Sequence, residues 1–356
     1  ETAMTAFWIL LSVLLHQKGR DEGHFGVFSF WTSVTCVLAA ISRPDAGLVF
    51  LVLFADRLVL SIKRRDGSFF WFGLAFSVMF LPYFAWRYWY YGWLLPNTFY
   101  AKVGHSQDQI QRGGRYVAWY AIAVFPVLSF MLVHLFRGAS RGLNSACAII
   151  LGYLMYIMYV GGDALPAYRL LTPISPLLCL YAADALSILF KHRVRLCATV
   201  LALAVYGISM GHFDTSINQK IQNGRVWKNG MEVGLWMREN APENALLATN
   251  TAGTIPYFSR LPVIDMLGLN DEVIAHTEMP RMGKGSPGHE KGNGKYVLSR
   301  HPHWIQFGSA SGSARPVFVG DREIANDPEF KKKYVLKTYR LPSGLTLRLY
   351  ERKTTS

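Results

Sequence analysis

Long apolar stretches recur from the start of the chain to position 213, and this feature constrains the fold more than any other. Eight can be distinguished, at 2–15, 25–41, 46–60, 69–90, 116–136, 144–160, 170–190 and 196–213. A helix needs about 20 apolar residues to cross roughly 30 Å of hydrocarbon, and several of these stretches are shorter. Hydrophobic residues make up 51% of the chain and charged residues 17%, against about 25% charged residues in a typical soluble domain. The sequence therefore predicts a mainly α fold, a polytopic transmembrane bundle of about eight spans.

The density of charge changes near position 213. Residues 1–213 hold 17 Lys and Arg and 9 Asp and Glu, whereas the shorter segment 214–356 holds 20 and 14. The second segment alternates a predicted helix at 231–240 with predicted strands at 245–250, 261–269, 316–320 and 345–352, and a glycine-rich loop covers 281–295. This alternation is typical of layered α/β domains. We expect a membrane region at 1–213 and an extracytoplasmic α/β domain at 214–356.

Loop charges predict the orientation. The connections expected on one side of the membrane carry ten Lys and Arg residues, and those on the other side carry five. Because the cytoplasmic side is usually the richer in Lys and Arg, residues 214–356 are expected outside the cytoplasm, on a bacterial plasma membrane. The net charge is 37 − 23 = +14. In so apolar a chain, this charge favours anionic membrane lipids over nucleic acid as partners.

Ionisable and aromatic residues gather in the loops predicted to lie outside. They are Glu1, Arg43, Asp45, Tyr100, Lys102, Asp163 and Arg169. The three cations suit a phosphate group. The three carboxylates suit hydroxyl orientation, cation binding or proton abstraction, and Tyr100 suits stacking on a sugar. Helix caps, interfacial anchors and an aromatic belt are the alternative interpretation of the same residues.

The second segment has a smaller set of polar residues in predicted loops. They are Asp265, Asn270, Asp271, His289 and Lys291. We expect them either to contact an acceptor glycan or to form ordinary turns and solvated loops. No zinc-ligand spacing is present, and the sequence leaves the need for a divalent cation open.

Several strings together resemble one enzyme family. "LPNTFYAK", "SRPD", "GGD…R", the opening "ET" and the segment 233–271, which ends in "DMLGLND", are similar to GT-C glycosyltransferases. The resemblance is to the terminal arabinofuranosyltransferases of mycobacterial cell walls and their bacterial relatives. It implies transfer of a sugar, such as the pentofuranose arabinose, from a polyprenyl-phosphate donor to an envelope glycan or lipid on the outer face.

The resemblance also implies roles for individual residues. Supporting positions carried over from it are Glu1, Arg43, Asp45, Asn97, Lys102, Asp163 and Arg169. The family's catalytic base is an Asp of the first outer loop, which we expect to lie upstream of Glu1. Asp45 and Asp163 are the candidates within the chain. Two other functions stay open: a transporter or flippase of lipid-linked sugars, and a non-catalytic envelope assembly protein.

Overall fold

The computed structural model describes residues 1–22, 25–136, 144–165, 168–189, 226–280 and 282–353, together with a few positions between 197 and 207. The chain forms two compact units. The helical unit comprises Glu1–Leu94 and Arg112–Ile217, and the sheet unit comprises Leu95–Gln111 and Asn218–Ser356. Residues 95–111, which the sequence assigned to the membrane region, thus belong with the sheet unit.

Nine helices precede residue 190 in the described part of the chain. They are α1 (Thr2–Glu22), α2 (Phe25–Ser42), α3 (Gly47–Arg64), α4 (Ser68–Tyr91), α5 (Asn97–Lys102), α6 (Gln107–Ala123), α7 (Phe125–Phe136), α8 (Asn144–Val160) and α9 (Ser175–Leu189). Short 3-10 turns, Pro44–Ala46 and Thr172–Ile174, precede α3 and α9. All but α5 and the first residues of α6 belong to the helical unit.

Aromatic stacking and small residues hold the helical unit together. The rings of Phe50 on α3 and Phe76 on α4 stack with their centroids 3.6 Å apart. At Gly113 on α6, a Cβ atom would collide with the backbone of Met158 on α8, so only glycine permits this approach of the two helices. Hydroxyl groups are buried as well as rings, and Ser12 Oγ donates a hydrogen bond to Thr35 Oγ1 at 2.9 Å. The core is therefore closely packed and not purely apolar.

The prediction of a polytopic bundle of about eight spans is wrong. Among the described residues, only Ser68–Tyr91, with 24 residues, is long and apolar enough to cross a membrane. The helices α7, α8 and α9 have 12, 17 and 15 residues, too few for about 30 Å of hydrocarbon. The helices α1 and α3 are longer but carry charged residues within their bounds. Most of the predicted stretch 196–213 lies outside the described residues.

The sheet unit is built on a five-stranded sheet. Its strands are β1 (Leu247–Thr249), β2 (Val263–Asp265), β3 (Trp304–Gln306), β4 (Tyr334–Arg340) and β5 (Thr346–Arg352), in the spatial order β2-β1-β3-β5-β4. β1 pairs in parallel with β2 and β3, through Ala248 opposite Ile264 and Ile305. β5 runs antiparallel to β3 and to β4. The helices are α10 (Val226–Asn240), α11 (Thr254–Ser259), α12 (Glu272–His276), α13 (Gly294–Ser299), α14 (Val319–Asn326) and α15 (Pro328–Lys333).

Most of the sequence-based assignments in this unit are confirmed, and one is wrong. The predicted helix at 231–240 lies within α10, and strands form within 245–250, 261–269 and 345–352. The predicted strand at 316–320 does not form, because this segment leads into α14. The Asp321 carboxylate accepts hydrogen bonds from the backbone N–H groups of Val317 and Phe318 at 3.0 and 3.2 Å, which starts a helix in place of a strand.

Candidate functional site

The parallel strands β1, β2 and β3 end at one edge of the sheet, and polar residues follow each of them. Thr249 Oγ1 at the end of β1 donates to Gln306 Oε1 at the end of β3, at 2.7 Å. Asn250 Nδ2 donates to Asp321 Oδ1 at 2.8 Å. In open α/β sheets, ligands bind outside the carboxyl ends of the strands. We refer to this region as the carboxyl edge.

The loop after β2 is organised by Asp265. Its buried carboxylate accepts hydrogen bonds from the backbone N–H groups of Leu267 and Asn270, at 3.0 and 2.8 Å. Burial raises the pKa of Asp265, although these backbone N–H groups counteract the effect. Asn270 Nδ2 reaches back to the carbonyl oxygen of Ala252 at 3.1 Å and so joins this loop to the one after β1. Asp265 therefore shapes the loop that follows β2.

Asn97, at the start of α5, fastens the "LPNTFYAK" segment to the same loop. Its Nδ2 atom donates to the carbonyl oxygens of Gly268 and Leu269, at 2.9 and 3.1 Å. Gly268 has φ +79, and a Cβ atom there would meet the backbone of Ala275, so the turn requires glycine. The two strings that carry the family resemblance most specifically are thus in direct contact within the sheet unit.

Two buried amide oxygens at the carboxyl edge lack a donor. Within the described residues, no hydrogen-bond partner reaches Asn97 Oδ1 or Asn250 Oδ1. Native structures rarely leave a buried oxygen unsatisfied, and such an atom usually meets water or a ligand. A sugar hydroxyl is a suitable donor for either oxygen.

Tyr100 and Lys102 lie on α5, close to loops of the sheet unit. The Tyr100 ring contacts the ring of His276 of α12 in a tilted arrangement, with centroids 4.1 Å apart. Burial lowers the pKa of His276, which therefore favours the neutral ring. The aliphatic part of Lys102 runs beside Gly288, which has φ +77. This arrangement places one cation of the predicted phosphate-binding set beside the glycine-rich loop.

The remaining acceptor candidates have mainly structural partners. Asp271 caps α12 by accepting from Ile274 N at 3.0 Å, and it also accepts from the hydroxyl of Tyr296 at 3.2 Å. Lys291 is buried, and its Nζ donates to the carbonyl oxygen of Thr277. Burial lowers the pKa of Lys291. His289 is exposed, with its ring 5.7 Å from Phe318, and is the acceptor candidate best placed to meet a ligand.

In the helical unit, Glu1, Arg43 and Asp45 form one ionic cluster. Arg43 donates to both oxygens of Asp45, at 3.0 and 2.7 Å, and both side chains are buried. The exposed carboxylate of Glu1 lies 4.0 Å from the Arg43 guanidinium. Burial raises the pKa of Asp45, and the nearby Arg43 opposes this shift. A carboxylate with a raised pKa is a better proton acceptor near neutral pH than an ordinary one.

Asp163 and Arg169 form the second ionic cluster of the helical unit. Arg169 Nε donates to the Asp163 carboxylate, which is buried, while the guanidinium is half-exposed. Gly161 and Gly162 have φ of +84 and +76. Arg112 on α6 holds this turn by donating from Nε to the carbonyl oxygen of Gly161 at 2.9 Å. The "GGD" turn is thus fixed by glycine geometry and by one arginine.

The predicted site residues therefore divide between the two units. Asn97, Tyr100 and Lys102 share the sheet unit with all five acceptor candidates, whereas Glu1, Arg43, Asp45, Asp163 and Arg169 lie in the helical unit. Sequence reasoning missed Asn250, Gln306 and Asp321, although polar residues directly after short buried strands signal such an edge. In the described part of the chain, no three His, Cys, Asp or Glu residues are grouped so as to hold a metal ion.

Comparison with known proteins adds one finding. A family described as a domain of unknown function (DUF8728) matches residues 216–352, which lie almost wholly in the sheet unit. The match covers less than half of the chain. Neither a curated protein nor a solved structure matches this sequence.

Proposed function

We propose that the chain is a membrane-associated glycosyltransferase that moves a sugar from a polyprenyl-phosphate donor to an envelope glycan. The observation that carries this proposal is the pair of hydrogen bonds from Asn97 to Gly268 and Leu269. They join the "LPNTFYAK" and "DMLGLND" strings into one element at the carboxyl edge, where α/β proteins bind ligands. The two strings that resemble the family most specifically thus lie next to each other in the sheet unit.

The groups around this element suit a phosphorylated sugar. Lys102 offers a point charge for a phosphate. Within the described residues, the buried amide oxygens of Asn97 and Asn250 accept no hydrogen bond. Sugar hydroxyls are suitable donors for both oxygens. Proton removal from the acceptor hydroxyl needs a carboxylate, and Asp45 and Asp163 are the candidates in this chain. General-base catalysis contributes about 10²–10⁴-fold to a rate, so loss of the true base gives a large effect.

The proposed location is a bacterial plasma membrane, with the sheet unit outside the cytoplasm. One helix, Ser68–Tyr91, is a candidate span. Lys63, Arg64 and Arg65 precede it, and basic residues favour the cytoplasmic side. A reporter enzyme that works only outside the cytoplasm, fused after residue 213, is therefore expected to be active. Activity restricted to a fusion after Arg65 would contradict this location.

The test of function is transfer of labelled sugar from polyprenyl-phosphate donors by the purified chain in nanodiscs. Turnover that is lost in Asp45→Asn or in Asp163→Asn would identify that carboxylate as the base. Donor binding is measured separately, and Lys102→Ala should weaken it about tenfold or more, since a charged hydrogen bond is lost. Lys295→Ala, an exposed lysine on α13, is the control. Absence of donor binding would refute the proposal.

A further inference from the structure

A groove on the sheet unit lies away from the carboxyl edge. It is lined by Leu235, Arg238, Tyr257, Phe258 and Arg260. These residues come from α10, from α11 and from the residue that follows α11. α11 connects the carboxyl end of β1 to the amino end of β2, so Arg260 lies near the amino ends of the parallel strands. The groove is therefore separate from the proposed transfer site.

Two glycines of α10 bring the walls of the groove together. A Cβ atom at Gly230 would collide with Thr254, and one at Gly234 would collide with Phe258 and approach the carbonyl oxygen of Ile255. Glycines four residues apart on a helix allow a neighbouring helix to approach closely. The close approach of α10 and α11 beside the groove therefore depends on these two glycines.

Arg260 has a backbone conformation that is unfavourable for arginine. It ends α11 with φ +57 and ψ +18, in the left-handed region. Glycine is the usual residue at such a helix end, because a Cβ atom makes this region unfavourable. Strained positions of this kind cluster at ligand sites. Arginine at this position therefore costs stability, and Arg260 is one of the residues that line the groove.

The chemistry of the groove is cationic and aromatic. None of the five described residues that line the groove carries a carboxylate. Tyr257 is 76% exposed, and its ring meets Phe258 edge-on at 5.0 Å. Guanidinium groups bind carboxylates and phosphates through two parallel hydrogen bonds. An exposed tyrosine ring offers a flat apolar surface and a polar tip.

We infer that this groove binds an anionic saccharide, with its sugar ring against Tyr257 and its carboxylate or phosphate on Arg238 and Arg260. Arginine suits this role better than lysine because its planar fork matches the geometry of both anions. The inference does not depend on the proposed sugar transfer, since binding is measured with soluble saccharides and without a donor. A membrane surface is the competing occupant, because tyrosine and arginine are also common at lipid interfaces.

The experiment uses the full chain in phosphatidylcholine nanodiscs. Four probes are titrated by ligand-observed NMR: tetragalacturonate, glucose 6-phosphate, the neutral cellotetraose and inorganic phosphate. We expect one or both anionic sugars to bind. Cellotetraose and inorganic phosphate should bind about tenfold more weakly, because cellotetraose lacks the anionic group and inorganic phosphate lacks the sugar ring. Tetragalacturonate and glucose 6-phosphate distinguish a carboxylated glycan from a phosphorylated sugar. Binding of none of the sugars, or equal binding of cellotetraose, would overturn the inference.

Arg260→Gly separates binding from folding. Glycine relieves the left-handed strain, so the melting temperature should stay the same or rise, while saccharide affinity falls about tenfold. Tyr257→Ala should weaken binding, and Tyr257→Phe should preserve most of it. Arg315→Ala, an exposed arginine outside the groove, is the control.

A second variant covers any failure of Arg260→Gly to fold. Arg238→Lys keeps the charge but loses the fork, and we expect it to bind more weakly than the wild type. Unchanged affinity in Arg260→Gly or in Arg238→Lys would overturn the inference. Recruitment to anionic vesicles without any saccharide binding would assign the groove to a membrane surface instead.

Discussion

Buried carboxylates have different partners in the two units. In the helical unit they pair with cationic side chains: Asp45 with Arg43, and Asp163 with Arg169. In the sheet unit they accept hydrogen bonds from backbone N–H groups, and Asp265 is an example. The difference follows from the local structure. Asp45, in a short 3-10 turn, and Asp163, in the turn after α8, each lie beside an arginine a few residues away in the chain, whereas Asp265 faces the backbone N–H groups of the loop that follows it.

The two units therefore depend on their buried carboxylates in different ways. An ion pair between side chains depends on two residues that can be replaced together, so a matched apolar pair can restore stability. A carboxylate bonded to several backbone N–H groups holds a loop in shape, and no single second substitution replaces it. The following predictions test this distinction.

The largest effect is expected at Asp321. Its fully buried carboxylate accepts from the backbone N–H groups of Gly308, Val317 and Phe318 and from Asn250 Nδ2. Asp321→Ala leaves these donors without an acceptor, and we expect it to lower the free energy of unfolding of the sheet unit by about 3–5 kcal/mol. Urea unfolding of the full chain, followed by circular dichroism, measures this loss.

The control for Asp321 is a carboxylate that caps a single donor. Asp327 starts α15 by accepting from Glu329 N at 2.7 Å. Asp327→Ala should cost about 1 kcal/mol, the usual value for the loss of an N-cap. Equal losses from Asp321→Ala and Asp327→Ala would show that the number of backbone donors does not determine the cost.

The next effect concerns the ion pair of Arg43 and Asp45. Arg43→Met leaves a buried carboxylate without its cation, and we expect a loss of about 3 kcal/mol. The double variant Arg43→Met/Asp45→Leu removes both charges and should recover most of that loss. Thermal unfolding in detergent compares the two. A double variant no more stable than the single one would mean that the ion pair cannot be replaced by an apolar pair. The two units would then not differ in how they depend on their buried carboxylates.

A smaller effect is expected at Asn97. Asn97→Ala removes the donor to Gly268 and Leu269, and we expect a local destabilisation of about 1–2 kcal/mol. Hydrogen exchange of the peptide covering 266–276 should become faster, while that of β5 should not change. Asn240→Ala is the control, since the exposed amide of Asn240 donates to Trp236 within its own helix. Unchanged exchange at 266–276 would mean that α5 does not hold this loop.

The sequence predicted elements well where local pattern decides them. The helix α10 and the strand β5 have the expected periodicity and form where it predicts them. The segment before α14 is rich in β-forming residues, but the Asp321 carboxylate overrides that preference. The contacts of Asn97 join positions 171 residues apart, and no local pattern reveals such a pairing.

The number of spans was wrong for a related reason. Apolar content counts residues but does not show where a helix ends or which side chains it buries. In α1, His16 and Arg20 both bond to Asp56 of α3, so these helices share a partly buried ionic cluster. Glu1, Arg43 and Asp45 were predicted only as members of a larger set of outer-loop residues; these three lie together, whereas Tyr100 and Lys102 of that set belong to the sheet unit.

The smallest effect is a pH dependence at His303 in the sheet unit. Its Nδ1 accepts a hydrogen bond from Leu246 N at 3.1 Å, which requires the neutral ring. Burial, with Arg352 nearby, lowers the pKa of His303 in the folded chain. The unfolded chain takes up its proton first, near pH 6.5. Stability present above that pH is therefore lost as the pH falls from about 6.5 towards the folded pKa.

His303→Asn tests this because its amide oxygen can take the place of Nδ1 and does not titrate. We expect the free energy of unfolding to fall less between pH 7 and about pH 5 in the variant than in the wild type. Part of the slope should remain, because burial also lowers the pKa of His276. Adding His276→Asn should reduce the slope further. If the free energy of unfolding depends on pH equally in His303→Asn and in the wild type, the hydrogen bond from Leu246 N to His303 does not contribute to that dependence. The backbone donor of Leu246 would then differ from the backbone donors that bond to carboxylates in the sheet unit.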